Sequence, residues 1–289
     1  MDSPLDILTA MFTARVVSAL LISASAFAQG ARPAPDPMRP DPNAPRLIDA
    51  IDSVFLEELT WMEVRDAMRA GKMTAVIATG GIEQNGPYLA LGKHNYVLRA
   101  TTDAIARKLG NALVAPIIPF VPEGDIDPPT GHMLYPGSIS LREETFRALL
   151  TDIASSLKTH GFRHIILLAD SGGNLDAMKK VAAELTSRWR GKPTIHYIAE
   201  YYDYPGVTKY LESQGVKQVS EGIHDDFAIS SIMMTVDPNT VRMRQRAARD
   251  KLTINGVSLA PPKSIELGRK AVAWRADVTV AAIRKATGE

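Results

Sequence analysis

An α/β fold, with a mainly parallel sheet and helices on both faces, is predicted by three observations. Short apolar runs alternate along the chain with longer stretches of helical period. The helical stretches are long enough, at about 10–18 residues, to act as crossovers between parallel strands. Polar, glycine-bearing turns directly follow two of the apolar runs, at positions 80–86 and 170–174. In open parallel sheets, the carboxyl ends of strands are where ligands bind.

The elements follow in order. Residues 74–78 (TAVIA) read as a buried strand ending at Gly80-Gly81. Residues 97–109 have helical spacing, and 113–120 read as a second strand. The proline-rich run 122–129 must be loop. Residues 142–160 form a long helix, with Phe146, Leu149, Leu150, Ile153 and Leu157 on one face. A strand at 164–169 leads into the turn Asp170-Ser171-Gly172-Gly173-Asn174, whose Asn174 can cap a helix over 175–189. Residues 194–198 are a further strand, and 227–236 a helix stopped by Asp237-Pro238.

Composition narrows the function classes. The chain has 289 residues, 33 basic and 32 acidic, and a formal charge of +1. Charged residues make up 22% and hydrophobic ones 45%, the balance of a globular protein. No Lys/Arg block offers a footprint for nucleic acid. The absence of Cys excludes disulfides, thiolate zinc sites and cysteine nucleophiles.

Residues 1–28 read as a secretory signal. Arg15 precedes a short apolar run that ends in Ala26-Phe27-Ala28, a small-x-small cleavage site. The run is too short for a membrane span of about 20 residues, so no membrane association is expected after its removal. Residues 2–10 carry Asp2 and Asp6 and no base, unlike a signal's n-region, which points to Met11 as the start. Residues 29–46 contain Pro33, Pro35, Pro37, Pro40, Pro42 and Pro45 and read as an extended linker. The folded domain is expected over 47–289, in the periplasm or outside the cell.

Three segments carry chemistry. The first is Glu83-Gln84-Asn85-Gly86-Pro87-Tyr88-Leu89-Ala90-Leu91-Gly92-Lys93-His94. A carboxylate directly after a buried strand must be paired, hydrogen-bonded or metal-bound. His94, eleven residues on, can fold back over the same strand end. The second is Ala169-Asp170-Ser171-Gly172-Gly173-Asn174, and the third is Glu221-Gly222-Ile223-His224-Asp225-Asp226, leading into a helix. His132 sits in the loop before Tyr135-Pro136-Gly137-Ser138-Ile139-Ser140-Leu141. No base is apparent for Ser171 as a nucleophile, and Gly80-Gly81 lacks dinucleotide-binding spacing.

These segments together resemble the creatininase family of amidohydrolases. The first is similar to the family's E-Q-H-G-P-H-L-P-L-x-T-D, residues 135–141 to F-P-G-T-I-S-L, residues 169–174 to N-G-H-G-G-N, and residues 224–231 to H-A-G-x-x-E-T-S. The resemblance runs from about 56 to 241. It implies a three-layer α/β/α domain, a ring-like homo-oligomer, often a hexamer, and hydrolysis of an amide in a small molecule at a pair of divalent ions. This chain departs from the pattern: Asn85, His94, Ser171 and Ile229 stand where the family has His, a bridging Asp, His and Glu. A single site remains as the expectation, one Zn, Mn or Fe ion held by Glu83, His94, Asp170 and His224. Asp225, Asp226 and His132 are then the candidates for acid–base work. Asn85, Tyr88 and Asn174 are expected to line the substrate pocket. The expected function is exported cleavage of an amide or cyclic amide C–N bond by metal-activated water. The alternative is a relic that binds a small molecule without turnover.

Overall fold

The computed structural model describes residues 38–217, 224–254 and 256–289. The expected signal, the first part of the linker and Glu221-Gly222-Ile223 lie outside them. The chain divides into two compact units, 1–47 and 48–289. The described part of the first is turn and irregular backbone, mostly exposed.

The second unit is built on a parallel sheet of four strands: β1 (Thr74–Thr79), β2 (Ala112–Val114), β3 (His164–Ala169) and β4 (Thr194–Tyr197), in the order β2-β1-β3-β4. Eight α-helices accompany it among the described residues: α1 (Trp61–Arg69), α2 (Lys93–Leu109), α3 (Glu143–Thr159), α4 (Leu175–Arg188), α5 (Tyr204–Ser213), α6 (Phe227–Val236), α7 (Met243–Ala247) and α8 (Lys263–Thr287). Residues Thr253–Ile254 and Val257–Ser258 form a small antiparallel hairpin, β5 and β6.

Alternation along the strands produces three layers. Ala75, Ile77, Ile165 and Leu167 pack on one face against α3 and α4, with Phe146, Leu150, Met178 and Val181. Val76, Ala78, Ile166 and Leu168 pack on the other against α2 and α8, with Leu98, Ile105, Ala276 and Val280. β1 is buried on both faces, which is why it reads as a continuous apolar run. Burying each such Ile or Leu contributes about 1.5–3 kcal/mol. The α/β architecture is as expected from the sequence.

The details differ in three places. The second strand stops at Val114, because Pro116 and Pro119 cannot donate to a ladder; beyond it Ala115 N still donates to the Val76 carbonyl, and the chain meets β1 again at the Thr79–Ile118 bridge. α2 begins at Lys93, one turn before its apolar spacing becomes regular. Asn174 makes no side-chain capping bond to α4; its amide donates to Thr79 Oγ1 at 3.2 Å and to the Gly80 carbonyl at 3.1 Å. None of the described helices is long and apolar enough to cross a membrane.

α8 lies against both α2 and α6, and its contact with α6 depends on Gly268. A Cβ there would sit 2.2 Å from the Ser231 carbonyl oxygen, so the two helices meet backbone to backbone. Gly268→Ala is expected to destabilise the domain by about 1–3 kcal/mol, more than the helix propensity gained. A thermal melt unchanged from wild type would show that the helices do not approach this closely.

Candidate functional site

The register Thr79↔Ala169 brings the carboxyl ends of β1 and β3 side by side. The chain leaving β1 carries Glu83, and the residue after β3 is Asp170. The first turn of α2 drops Lys93 and His94 between them. All four side chains are almost completely buried. Residues 122–124 with Gly131 and His132 form one wall, and His224, Asp226 and Ile229 another, around a cleft of about 600 Å³.

Glu83 is the hub. Its Oε1 accepts from His94 Nε2 at 2.7 Å and from His224 Nδ1 at 3.0 Å, with Lys93 Nζ at 3.5 Å. Its Oε2 lies 3.0 Å from His132 Nε2. Burial alone would raise the pKa of Glu83, but bonds from His224 and His94 and the charges of His94 and Lys93 outweigh it. The carboxyl is held well below its usual range. Burial pushes the Lys93 ammonium down, against the pull of Glu83, Asp170 and Asp226. Burial also lowers His224, against its hydrogen bond to Glu83. His224 has φ of 64°, a left-handed conformation uncommon outside glycine, and this strained backbone aims its ring at Glu83.

Behind His94 stands an ion-paired support. His94 Nδ1 contacts Asp170 Oδ2 at 2.9 Å, and Arg275 from α8 donates to Asp170 Oδ1 at 2.7 Å. Tyr204 Oη donates to the same carboxylate at 3.1–3.2 Å. Burial would raise Asp170, but Arg275 and His94 bring it down to about 2. Both oxygens of Asp170 are therefore engaged, and it fixes the orientation of the His94 ring.

Of the four expected metal ligands, Glu83, His94 and His224 present donor atoms within 4.8 Å of one another. Glu83, Glu123 and His132 form a second such group. Glu123 is 6% exposed, and its Oε1 has no hydrogen-bond partner. Burial and the adjacent Glu83 charge raise its pKa far above the ordinary carboxyl value. A buried orphan oxygen beside a second carboxylate is a donor set that a divalent cation fits.

The other expected residues are divided. His132 and Asp226 line the cleft. Asp226 accepts from Ile229 N at 2.8 Å as the cap of α6, and burial raises it to about 6. Asp225 is not part of the cleft lining; it is fully buried, and its two oxygens accept from Arg246 Nη2 at 2.7 Å while Oδ1 also accepts from Ser230 Oγ at 3.1 Å. Asn85, Tyr88 and Asn174 are not part of the lining either. Asn85 donates to the carbonyls of Glu83, Ala90 and Leu91 and faces His224 Nδ1 at 3.0 Å, so it shapes the loop. Tyr88 lies under the Arg246 guanidinium, 4.2 Å from ring centroid to Cζ. Asn174 ties the ends of β1 and β3 together.

Sequence reasoning missed Lys93, Glu123 and Arg275. Two of them carried a signal. Glu123 follows an apolar run, as Glu83 does. Lys93 opens a helix, where the macrodipole disfavours a cation unless an acid waits beside it.

Comparison with known proteins identifies the fold and the family. A curated creatinine amidohydrolase from Pseudomonas putida is 29% identical over 116 residues, 40% of this chain and 44% of the relative. The aligned region thus spans less than half the length of that relative. A solved creatininase with manganese superposes with a TM-score of 0.59 at 21% identity, covering 81% of this chain and 98% of that one. A creatininase variant of Zn–Zn type gives 0.57 at 21% identity with the same coverage. The family model for creatininase, creatinine amidohydrolase, matches residues 57–283. With well over half of its length matched, the chain belongs to the creatininase family.

Proposed function

We propose that this protein is an exported, oligomeric hydrolase that cleaves an amide or cyclic amide C–N bond in a small molecule, using metal-activated water. The observation that carries the reading is the convergence of Glu83, His94, Glu123, His132 and His224 on one cleft at the carboxyl ends of the strands. Export to the periplasm or beyond rests on the leader at residues 15–28. A volume of about 600 Å³ suits a small substrate rather than a polypeptide.

A divalent ion bound in this cleft supplies a water whose pKa is near 7 and an electrophile for the carbonyl oxygen. The chain does the rest. Asp226, on the cleft wall, accepts the proton of the attacking water. The hydroxide adds to the carbonyl carbon, the C–N bond breaks, and Asp226 returns the proton to the departing nitrogen. Asp170 keeps the His94 ring fixed while charge moves. The hydroxyls of Tyr202 and Ser171, both at the cleft, are placed to orient the substrate.

The base must be ionised to act. With Asp226 at about 6, kcat/KM is expected to rise with pH up to about 6 and level off above it. Asp226→Asn keeps a capping oxygen for α6 but should lower kcat/KM by about 100-fold or more and remove that limb. The assay is product release, followed by mass spectrometry, from creatinine and other cyclic amides with Zn, Mn or Fe supplied. A flat profile through pH 6 would take Asp226 out of the reaction. Binding without turnover is the second reading, favoured by Ile229, which puts an apolar side chain in the cleft lining. Substrate-class molecules that bind but release no product with any of the three metals would establish it.

A further inference from the structure

We infer that the cation of this cleft sits in its outer half, between Glu83 Oε2, Glu123 and His132, and that the Lys93 side chain occupies the inner half in place of a second ion. The inference rests on the hydrolase reading for the cation's role and on the donor geometry for its place.

The two donor groups share Glu83 but differ in what remains available. In the inner group, Glu83 Oε1 already has His94, His224 and Lys93 around it, at 2.7, 3.0 and 3.5 Å. His94 has a carboxylate oxygen at each ring nitrogen, Glu83 on one side and Asp170 on the other. An ion placed there would displace one of these contacts and lie beside a buried amino group. The inner carboxylates have their cations within the protein: Lys93 for Glu83, and Arg275 for Asp170.

The outer group is incomplete without a ligand. Glu123 Oε1 is a buried atom without a partner. Glu83 Oε2 and His132 Nε2 are 3.0 Å apart. With metal–ligand bonds of roughly 2.0–2.2 Å, neighbouring donors around an ion stand about 3 Å from each other. The backbone is arranged to deliver both new ligands together. His132 N donates to the Glu123 carbonyl at 3.0 Å, so residues 123–132 close on themselves, and Ser140 Oγ accepts from Glu123 N at 2.9 Å. Opposite, Gly81 leaves the room: a Cβ there would fall 2.0 Å from Glu123 Oε1. Two carboxylates and one imidazole suit a divalent first-row ion such as Mn or Zn.

The test is metal stoichiometry by elemental mass spectrometry, on the full chain equilibrated with Mn²⁺ or Zn²⁺ and desalted. Wild type is expected to hold one ion per chain. Glu123→Gln and His132→Ala should each lose at least tenfold in affinity, while His224→Ala keeps the ion. Lys93→Met should admit a second ion. His132 lies on a partly exposed loop, so its variant reports on binding even where Glu123→Gln folds poorly. Retention of the ion in Glu123→Gln together with its loss in His224→Ala would move the site inward and overturn the inference. Two ions, or none, in wild type would also overturn it. One ion at the outer position with no amide cleaved would leave the site standing and remove the hydrolase reading instead.

Discussion

Glu83→Gln is expected to abolish ion binding and hydrolysis together, lowering kcat/KM by at least about 1,000-fold, or roughly 4 kcal/mol of transition-state stabilisation. Glu83 is the one residue common to both donor groups, and its two oxygens face opposite halves of the cleft. Glutamine preserves the shape and removes the charge. It leaves Lys93, 1% exposed, without its nearest counter-ion and turns an amide N–H toward His94 or His132. Breaking a buried pair in this way destabilises by about 3–5 kcal/mol, so the melting temperature should fall as well. Activity assays, metal content and a thermal melt on the same preparation separate the two effects. A variant that melts early but retains kcat/KM would make Glu83 a structural residue only.

The same residue shows what could be read in advance. β1 and β3 were legible because strands covered on both faces have no polar position, and the acid that ends such a strand has to be accounted for. That reasoning reached Glu83, His94 and Asp170, which lie in or beside strand-end turns; His224, ahead of α6, was reached through the resemblance of residues 224–231 to a family motif. It did not reach Arg275, which is 105 residues from Asp170 and sits in a helix rich in Ala, Val and Thr with no apolar stripe of large side chains. α8 was invisible for the same reason: small residues give a weak periodic signal, and the helix is fixed by close packing on α2 and α6. Asp225 and Asp226 are adjacent and identical in type. Only the fold distinguishes them, sending one to Arg246 and the other to the cleft. Asn85 and Asn174 were read as substrate-facing because polar groups at strand ends often are; here their amides satisfy backbone carbonyls that the turns leave open.

Arg275→Met is the second large effect, and its pH dependence identifies the cause. Arg275 and Asp170 are 2% and 0% exposed, joined at 2.7 Å. The guanidinium also donates to the Tyr201 carbonyl at 2.9 Å and lies over the Tyr201 ring, 4.0 Å from its centroid. Methionine fills much of the volume but leaves Asp170 charged and buried. The expected loss is about 3–5 kcal/mol. For a domain of this size that is a fall of roughly 6–20 °C in melting temperature. The sign with pH follows from Asp170, whose pKa of about 2 lies below its unfolded value. The ionised pair therefore contributes its full stability above the ordinary carboxyl pKa and loses it as pH falls toward 2. Without Arg275 that contribution shrinks, so the gap between wild type and variant should be widest near pH 7 and narrow below about pH 4. Asp170→Asn in the Arg275→Met background should recover part of the loss, because the unpaired charge goes with it. Urea unfolding at pH 7 and pH 3.5, on both single variants and the double, supplies every number required. A gap of the same size at both pH values would assign the stability to packing of the Arg275 stem on Tyr201, and Asp170 would then hold His94 without help from α8.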